Sequence, residues 1–246
     1  MDLKEAKEIT HGLSCPSKPA CPAYNLPTHA CRTGSSLVED PRSVCYYCYA
    51  RRGRYAFINV RRCLTRRLNA VIDNRKWAHA MTVLIEATGH KYFRWHDSGD
   101  ILDMQHLEQI VQIAKDLPEV RFNLPTKESG TLQQWAEDFE PYPRNLCVRE
   151  SGVYVDVLPD TIIPGTTLAG IFTKRSDIGF HCPVEWDKET KTCAGCRACW
   201  SIGVPIVIFK LKGKYVGDKI EYESERHGPY FNTGSKPDEH DQKGAF

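Results

Sequence analysis

Lys91–Arg149, KYFRWHDSGDILDMQHLEQIVQIAKDLPEVRFNLPTKESGTLQQWAEDFEPYPRNLCVR, decides the fold. Lys91 to His96 reads as a strand. Asp103 caps a helix whose Leu107, Ile110, Val111 and Ala114 share one face, and that helix ends before Pro118. Val120 to Leu124 reads as a second strand, Thr131 to Phe139 as a short helix, and Asn145 to Arg149 as a third strand. Strands alternating with helices at this spacing imply parallel βαβ units. The expected fold is therefore α/β, a partial βα barrel or a parallel sheet.

Working outward, Thr166 to Phe172 supplies a fourth strand and Pro205 to Lys210 a later one. On the N-terminal side, Val60, Leu64, Leu68, Val71, Ile72, Met81 and Ile85 recur close to the helical period. The spacing predicts one long helix, capped by Asn59 and stopped at Gly89. Residues 11–58 and 181–200 show neither period and are rich in cysteine. The organisation expected is a cysteine-rich segment over 1–58, a βα core over 59–178, a second cysteine-rich segment with the last strands over 179–231, and a polar tail over 232–246. Together they are expected to make one compact domain.

Composition narrows the class. The chain has 246 residues, 41% hydrophobic and 26% charged, with a formal charge of +2. These are values of an ordinary soluble globular protein. MDLKEAKEIT lacks the apolar stretch of a signal peptide, and the longest apolar run, Val204 to Phe209, is too short to span a bilayer. No membrane partner and a cytoplasmic location are expected. In a reducing compartment eleven clustered cysteines are read as metal ligands or redox groups rather than disulfides.

The more specific cysteine signal is HCPVEWDKETKTCAGCRACW. Cys193, Cys196 and Cys199 form C-x2-C-x2-C, with Cys182 upstream and followed by Pro183. Three evenly stepped thiolates can take three corners of an iron–sulfur cubane, with a remote cysteine at the fourth. Zinc is the alternative, although its thiolate sites usually pair two separated knuckles. The second signal is the Cys45-x2-Cys48 knuckle, preceded by Cys15, Cys21 and Cys31. Cys21 and Cys31 lie nearer the knuckle and are taken as its partners, with Cys15 as the spare. Two iron–sulfur clusters, each [4Fe–4S] with four cysteine ligands, are the cofactor expectation. Cys63 and Cys147 are expected to be buried small hydrophobes.

Each strand of the core ends in a polar group: His96-Asp97-Ser98-Gly99-Asp100, then Pro125-Thr126-Lys127-Glu128, then Arg149-Glu150-Ser151. In parallel α/β folds ligands bind beyond the carboxyl ends of strands. His96, Asp97, Lys127 and Arg149 are thus the candidate catalytic and substrate-binding residues, able to move protons and hold an anion. Ordinary capping is the competing explanation for each. Between Arg51 and Arg67 seven arginines occur without an acid. They make a solvated helix face, or a landing site for nucleic acid or an acidic partner.

The ordered motifs CPAYNLP, CRTGSSL, SVCYYCYARRGRY, FRWHDSGDI, NLPTKES, NLCVRES, HCP and TCAGCRACW resemble the phage-encoded gene product 88 family over most of residues 15–200. The resemblance implies a phage-derived gene acting in bacterial cytosol and carries no settled activity. The layout is more distantly similar to radical SAM enzymes with an auxiliary cluster. That family's C-x3-C-x2-C motif is missing, Cys45 and Cys48 supplying only its last two members, which argues against SAM as cofactor. The functional expectation is a redox enzyme that passes electrons from two clusters to a small-molecule or acidic substrate. Its reductant would be a ferredoxin or flavodoxin. A metal-stapled nucleic-acid-binding module and a simple electron carrier are the alternatives.

Overall fold

The computed structural model describes residues 1–221 apart from Ala20, Ala194, Gly213 and 217–218. The polar tail from Asn232 lies outside the described residues. Met1–Lys212 forms one compact unit and Gly213–Phe246 a second. In the second, Lys214–Val216 and Lys219–Glu221 pair as an antiparallel hairpin.

Helix α1 (Leu3–Thr10) opens the larger unit, its first turn capped by the Asp2 carboxylate accepting from Glu5 N. A two-residue strand β1 (Ala23–Tyr24), a short helix α2 (Arg32–Ser36), and helices α3 (Ile58–Asp73) and α4 (Trp77–Glu86) follow. The core then runs β2 (Tyr92–Trp95), α5 (Met104–Asp116), β3 (Arg121–Thr126), α6 (Ser129–Asp138), β4 (Leu146–Ser151) and β5 (Thr167–Phe172). Strand β6 (Phe180–His181), α7 (Pro183–Trp186) and β7 (Ile206–Lys210) complete it. Seven strands form one parallel sheet in the order β1-β2-β3-β4-β5-β7-β6, and the sheet does not close into a barrel. The α/β architecture expected from the strand–helix alternation is the one observed.

The single long helix is corrected. The chain breaks at Asn74, whose side chain turns back to accept from Lys76 N, and α4 starts afresh at Trp77. The N-cap position of α3 is Phe57, not Asn59. An asparagine side chain that bonds its own backbone two residues on offers the chain a turn in place of a helix.

The two faces of the sheet differ in chemistry, because alternate residues point opposite ways. Phe93, Trp95, Phe122, Leu124, Leu146 and Val148 face the helices and pack with Trp77, Met81, Ile85, Leu107, Ile110 and Leu132 in one core. The intervening positions include Arg94, Asn123, Cys147 and Arg149. Against the sheet lies the turn Ala198–Trp200 from the second cysteine-rich segment, whose Trp200 Nε1 donates to Phe93 O at 2.8 Å.

Candidate metal centres

The cysteines divide into two sets, and none is in a disulfide. Cys31, Cys45 and Cys48 form the first, beyond the carboxyl ends of the central strands. Cys31 immediately precedes α2, and α2 is fixed by Glu128, which follows β3. The Glu128 carboxylate accepts from Thr33 N at 3.0 Å and from Thr33 Oγ1 at 2.9 Å. The Cys45 loop is docked behind β4, with Val44 N donating to Val153 O and Cys45 N to Ser43 Oγ. Gly34 shows how closely two of the thiols approach each other. A Cβ there would lie 3.0 Å from Cys31 Cβ, 3.6 Å from Cys45 Sγ and 3.8 Å from Cys31 Sγ.

Burial pushes the Cys31 thiol up, helped by the charges of Asp100, Cys48 and Cys45 and opposed by Lys127. Cys45 is raised by burial too, again with Lys127 opposing. Lys127 is thus a cation that acts on this set. Asp100, which spacing alone left as a cap, helps to place it. One oxygen accepts from Ile101 N and the other from Lys127 N at 3.0 Å. Burial raises the Asp100 acid to about 6, against the hydrogen bonds that favour its charge. The Asp100 loop is locked down at Gly99, which has φ +85° and where a Cβ would come within 2.5 Å of Leu26 Cβ.

The second set comprises Cys182, Cys193, Cys196 and Cys199, joined by Cys21. This corrects the grouping by sequence distance. Arg94, Cys193 and Arg197 are the side chains that act most strongly on Cys21, after the burial that raises its thiol to about 11. The cause is the path of the chain: Lys18 lies beside the second cysteine-rich segment, its O accepting from Cys193 N and its Nζ donating to Glu185. Cys31 lies past the other end of β1. With Cys21 gone, the expectation of four cysteine ligands in the first set also fails. Cys15 is exposed.

Cationic groups gather round the second set. Arg197 Nη1 donates to Cys193 O and Cys196 O, both at 2.8 Å, and its guanidinium lies 4.6 Å over the Tyr92 ring. Burial lifts the Cys199 thiol to about 12, and Arg94 and Arg149 oppose the rise. Cys182 N is tied to Ile208 O. Cys196 packs against Cys182, Ala198 and Val207.

The other candidates take different places. Arg149 is 1% exposed and is a structural residue. Its Nη1 donates to Leu168 O at 2.8 Å, and its Nη2 reaches Ala198 O, Ser201 O and Val204 O at 3.1, 3.3 and 3.2 Å. It therefore pins the cysteine-bearing turn to the sheet. His96 leaves β2 at φ 52° and turns into the core, with its ring 5.4 Å from that of His106 and both nitrogens unpartnered. Burial, His106 and Arg94 together hold it well below the ordinary histidine range. The residue is 4% exposed. Asp97 is an anchor: Tyr55 donates to its carboxylate, Tyr49 to its carbonyl, and Arg94 Nε stands 3.6 Å from Oδ1. Arg94 was missed, although its place between Phe93 and Trp95 puts a lone cation on the face opposite the aromatic ones.

Cys147 is buried in β4 beside Thr167, as expected, and Cys63 is half-buried on α3. The arginine stretch splits. Arg67 is buried, with Nη1 donating to Ser14 Oγ and the guanidinium over the Tyr24 ring, while Arg54, Arg61, Arg62 and Arg66 are exposed near Phe57 and Ile58. A groove of about 640 Å³ between α1 and α3 is lined by Glu5, Glu8, His11, Arg66 and Asp73 among others, and by no cysteine. Among the described residues no three His, Cys, Asp or Glu side chains converge closely enough to hold a single metal ion. No described helix is long and apolar enough to cross a membrane.

Fold and thiols together define a parallel α/β protein carrying two separate sets of free cysteines, one at the strand ends and one on the sheet. The family model described as Gene product 88 matches residues 3–202, and the chain belongs to that family. No curated protein and no solved structure matches it.

Proposed function

We propose that the protein is an iron–sulfur oxidoreductase in which each thiol set holds a cluster and a substrate binds beside the first, at the carboxyl ends of β2–β4. The carrying observation is the sorting of eight free cysteines into two sets, each faced by cations: Lys127 for one, Arg94, Arg149 and Arg197 for the other. Cations beside thiolates favour their charge. In the first set a Cβ at Gly34 would lie within 4 Å of both Cys31 Sγ and Cys45 Sγ. Four thiolates on one zinc must all lie about 2.3 Å from it, whereas cluster cysteines each hold a different iron. The clusters supply electron transfer, while the chain orients the substrate and sets the local field.

Lys127 would hold an anionic group of the substrate, with Asp100 fixing the backbone from which it projects. The exposed Arg54, Arg61, Arg62 and Arg66 follow the first thiol set in sequence and suit an acidic electron donor such as a ferredoxin or flavodoxin. The same arginines favour nucleic acid as a second reading, in which the metals only staple the chain. Anaerobic purification with iron, zinc and acid-labile sulfide analysis tests the proposal. The expected result is a brown protein with iron and sulfide in comparable amounts. A colourless protein loaded with zinc would transfer the case to the stapled binding module.

A further inference from the structure

The first thiol set gathers Cys31 and Cys45, whose sulfurs both lie within 4 Å of the Cβ position at Gly34, and Cys48, whose N donates to Cys45 O. Asp100, Cys48, Lys127 and Cys45 are the groups acting most strongly on Cys31, and Cys48 and Lys127 recur around Cys45. Cys21, the residue that would have completed the set, stands with Cys193 and Arg94. The neighbouring carboxylates do not replace it. Both oxygens of Asp100 accept backbone N–H groups, and both oxygens of Glu128 are held by Thr33. The second set, in contrast, has five cysteines for four corners.

Resting on the cluster reading above, we infer that the Cys31–Cys45–Cys48 centre holds a cubane whose fourth iron has no protein thiolate and binds a small anionic oxygen-donor molecule, with Lys127 meeting its charge. Position supports the assignment. The site lies beyond the strand ends, where parallel α/β folds take their ligands. One acceptor near that end is unspent: Glu150 is 3% exposed, its Oε1 accepts from Ser129 Oγ, and its Oε2 has no partner. Glu150 sits opposite Thr126, the residue before Lys127, in the β3–β4 ladder. A ligand bearing a hydroxyl or ammonium donor beside its anionic group would satisfy Glu150 and the iron together. The second centre, with a thiolate for every iron, has no such vacancy and serves for electron transfer alone.

The test uses the full-length protein reconstituted anaerobically. Iron and sulfide are measured first, because their absence would refute the cluster reading itself. Mild ferricyanide oxidation then removes labile iron, and the protein is refilled with 57Fe and examined by Mössbauer spectroscopy with and without citrate as a hydroxycarboxylate probe. The expected result is one exchangeable iron per chain, with a spectrum that shifts on adding citrate. Lys127→Met should keep the iron and sulfide content and bind citrate at least about tenfold more weakly, the effect of losing one charge-assisted contact. Clusters present in full but with no exchangeable iron would overturn the inference and leave the cluster reading standing. So would an exchangeable iron indifferent to citrate, or an unaltered citrate response in Lys127→Met.

Discussion

Replacing Arg149 by methionine separates a structural from a catalytic reading of a residue that ends a strand. The guanidinium is buried and serves four carbonyls, one on β5 and three in the segment Ala198–Val204. Hydrogen bonds to a charged group contribute about 1.5–3 kcal/mol each. The bond to Leu168 O at 2.8 Å is well formed, and the other three share one nitrogen, so they count together as one or two. The loss comes to about 3–9 kcal/mol, a large part of the roughly 5–15 kcal/mol that stabilises a typical protein. Methionine fills the stem volume but removes the guanidinium donors, and Ala198 O and Ser201 O keep only the backbone N–H groups of Ser201 and Val204. The turn that carries Cys199 would then come off the sheet, and the second centre should lose metal before the first. Urea unfolding followed by fluorescence under argon, with iron analysis of the same samples, reads both effects. Unchanged stability and iron in Arg149→Met, together with lost activity, would restore Arg149 to the substrate site and refute the pinning argument.

Three further outcomes follow from the same geometry. Cys196→Ser combined with Cys21→Ser leaves the second set three cysteines and should lose about half the iron and sulfide while Cys63→Ser keeps all of it, and equal retention in the two would break the assignment of ligands; metal sites of this kind form together with the fold. Glu128→Ala removes both acceptors from Thr33, so it should cost about 2 kcal/mol and make the first centre the more easily stripped by chelators, measured as iron release against time. Stability should also fall with acid. Burial holds His106 at about 4 in the folded chain against an unfolded value near 6.5, so stability is complete above about pH 6.5 and declines toward pH 4 by roughly 3 kcal/mol. Asp100, raised to about 6, acts in the opposite sense by nearly as much, and His96, held well below the ordinary histidine range, adds to the fall and sets its net sign. A urea midpoint that rises between about pH 7 and pH 4.5 would refute the prediction.

The core was legible because its signals are local. The Asp103 cap and the spacing of Leu107, Ile110 and Val111 state a helix whatever surrounds them, and Asp103 does accept from His106 N at 2.8 Å. The alternation in YFRW states a strand in the same way. Strand β1 was not legible, because two residues carry no period and join the sheet through partners some seventy positions away. The thiol sets obey a similar division. C-x2-C and C-x2-C-x2-C are local and identified both segments. The allocation of Cys21 depends on the contact of Lys18 with the second segment, which no local pattern announces, and proximity in sequence pointed elsewhere. Arg149 and His96 misled for a related reason. The carboxyl end of a strand is where ligands bind, but Arg149 lies inside β4 and His96 just past β2, and both side chains are buried.

Residue Arg94 links the two sets, and its removal should shift one of them electrically. Tyr49 directly follows Cys48 in the chain and donates to Asp97, Asp97 lies 3.6 Å from Arg94, and Arg94 faces Cys21 and Cys199. Burial works against the guanidinium charge, but Tyr49, Asp97 and the thiols outweigh it, so Arg94 stays cationic. A cation beside a cluster stabilises the reduced state, which carries one more negative charge. In Arg94→Gln the second centre should therefore have the more negative potential. A unit charge a few ångström away at an effective dielectric near 20 is worth on the order of 100 mV, and partial exposure of the side chain reduces that to several tens. An EPR-monitored redox titration measures the shift, with the first centre as an internal control because Lys127, not Arg94, is its cation. Equal shifts at both centres would mean that the substitution acts through the fold rather than through charge, and a positive shift at the second would contradict the placement of Arg94 against Cys21 and Cys199.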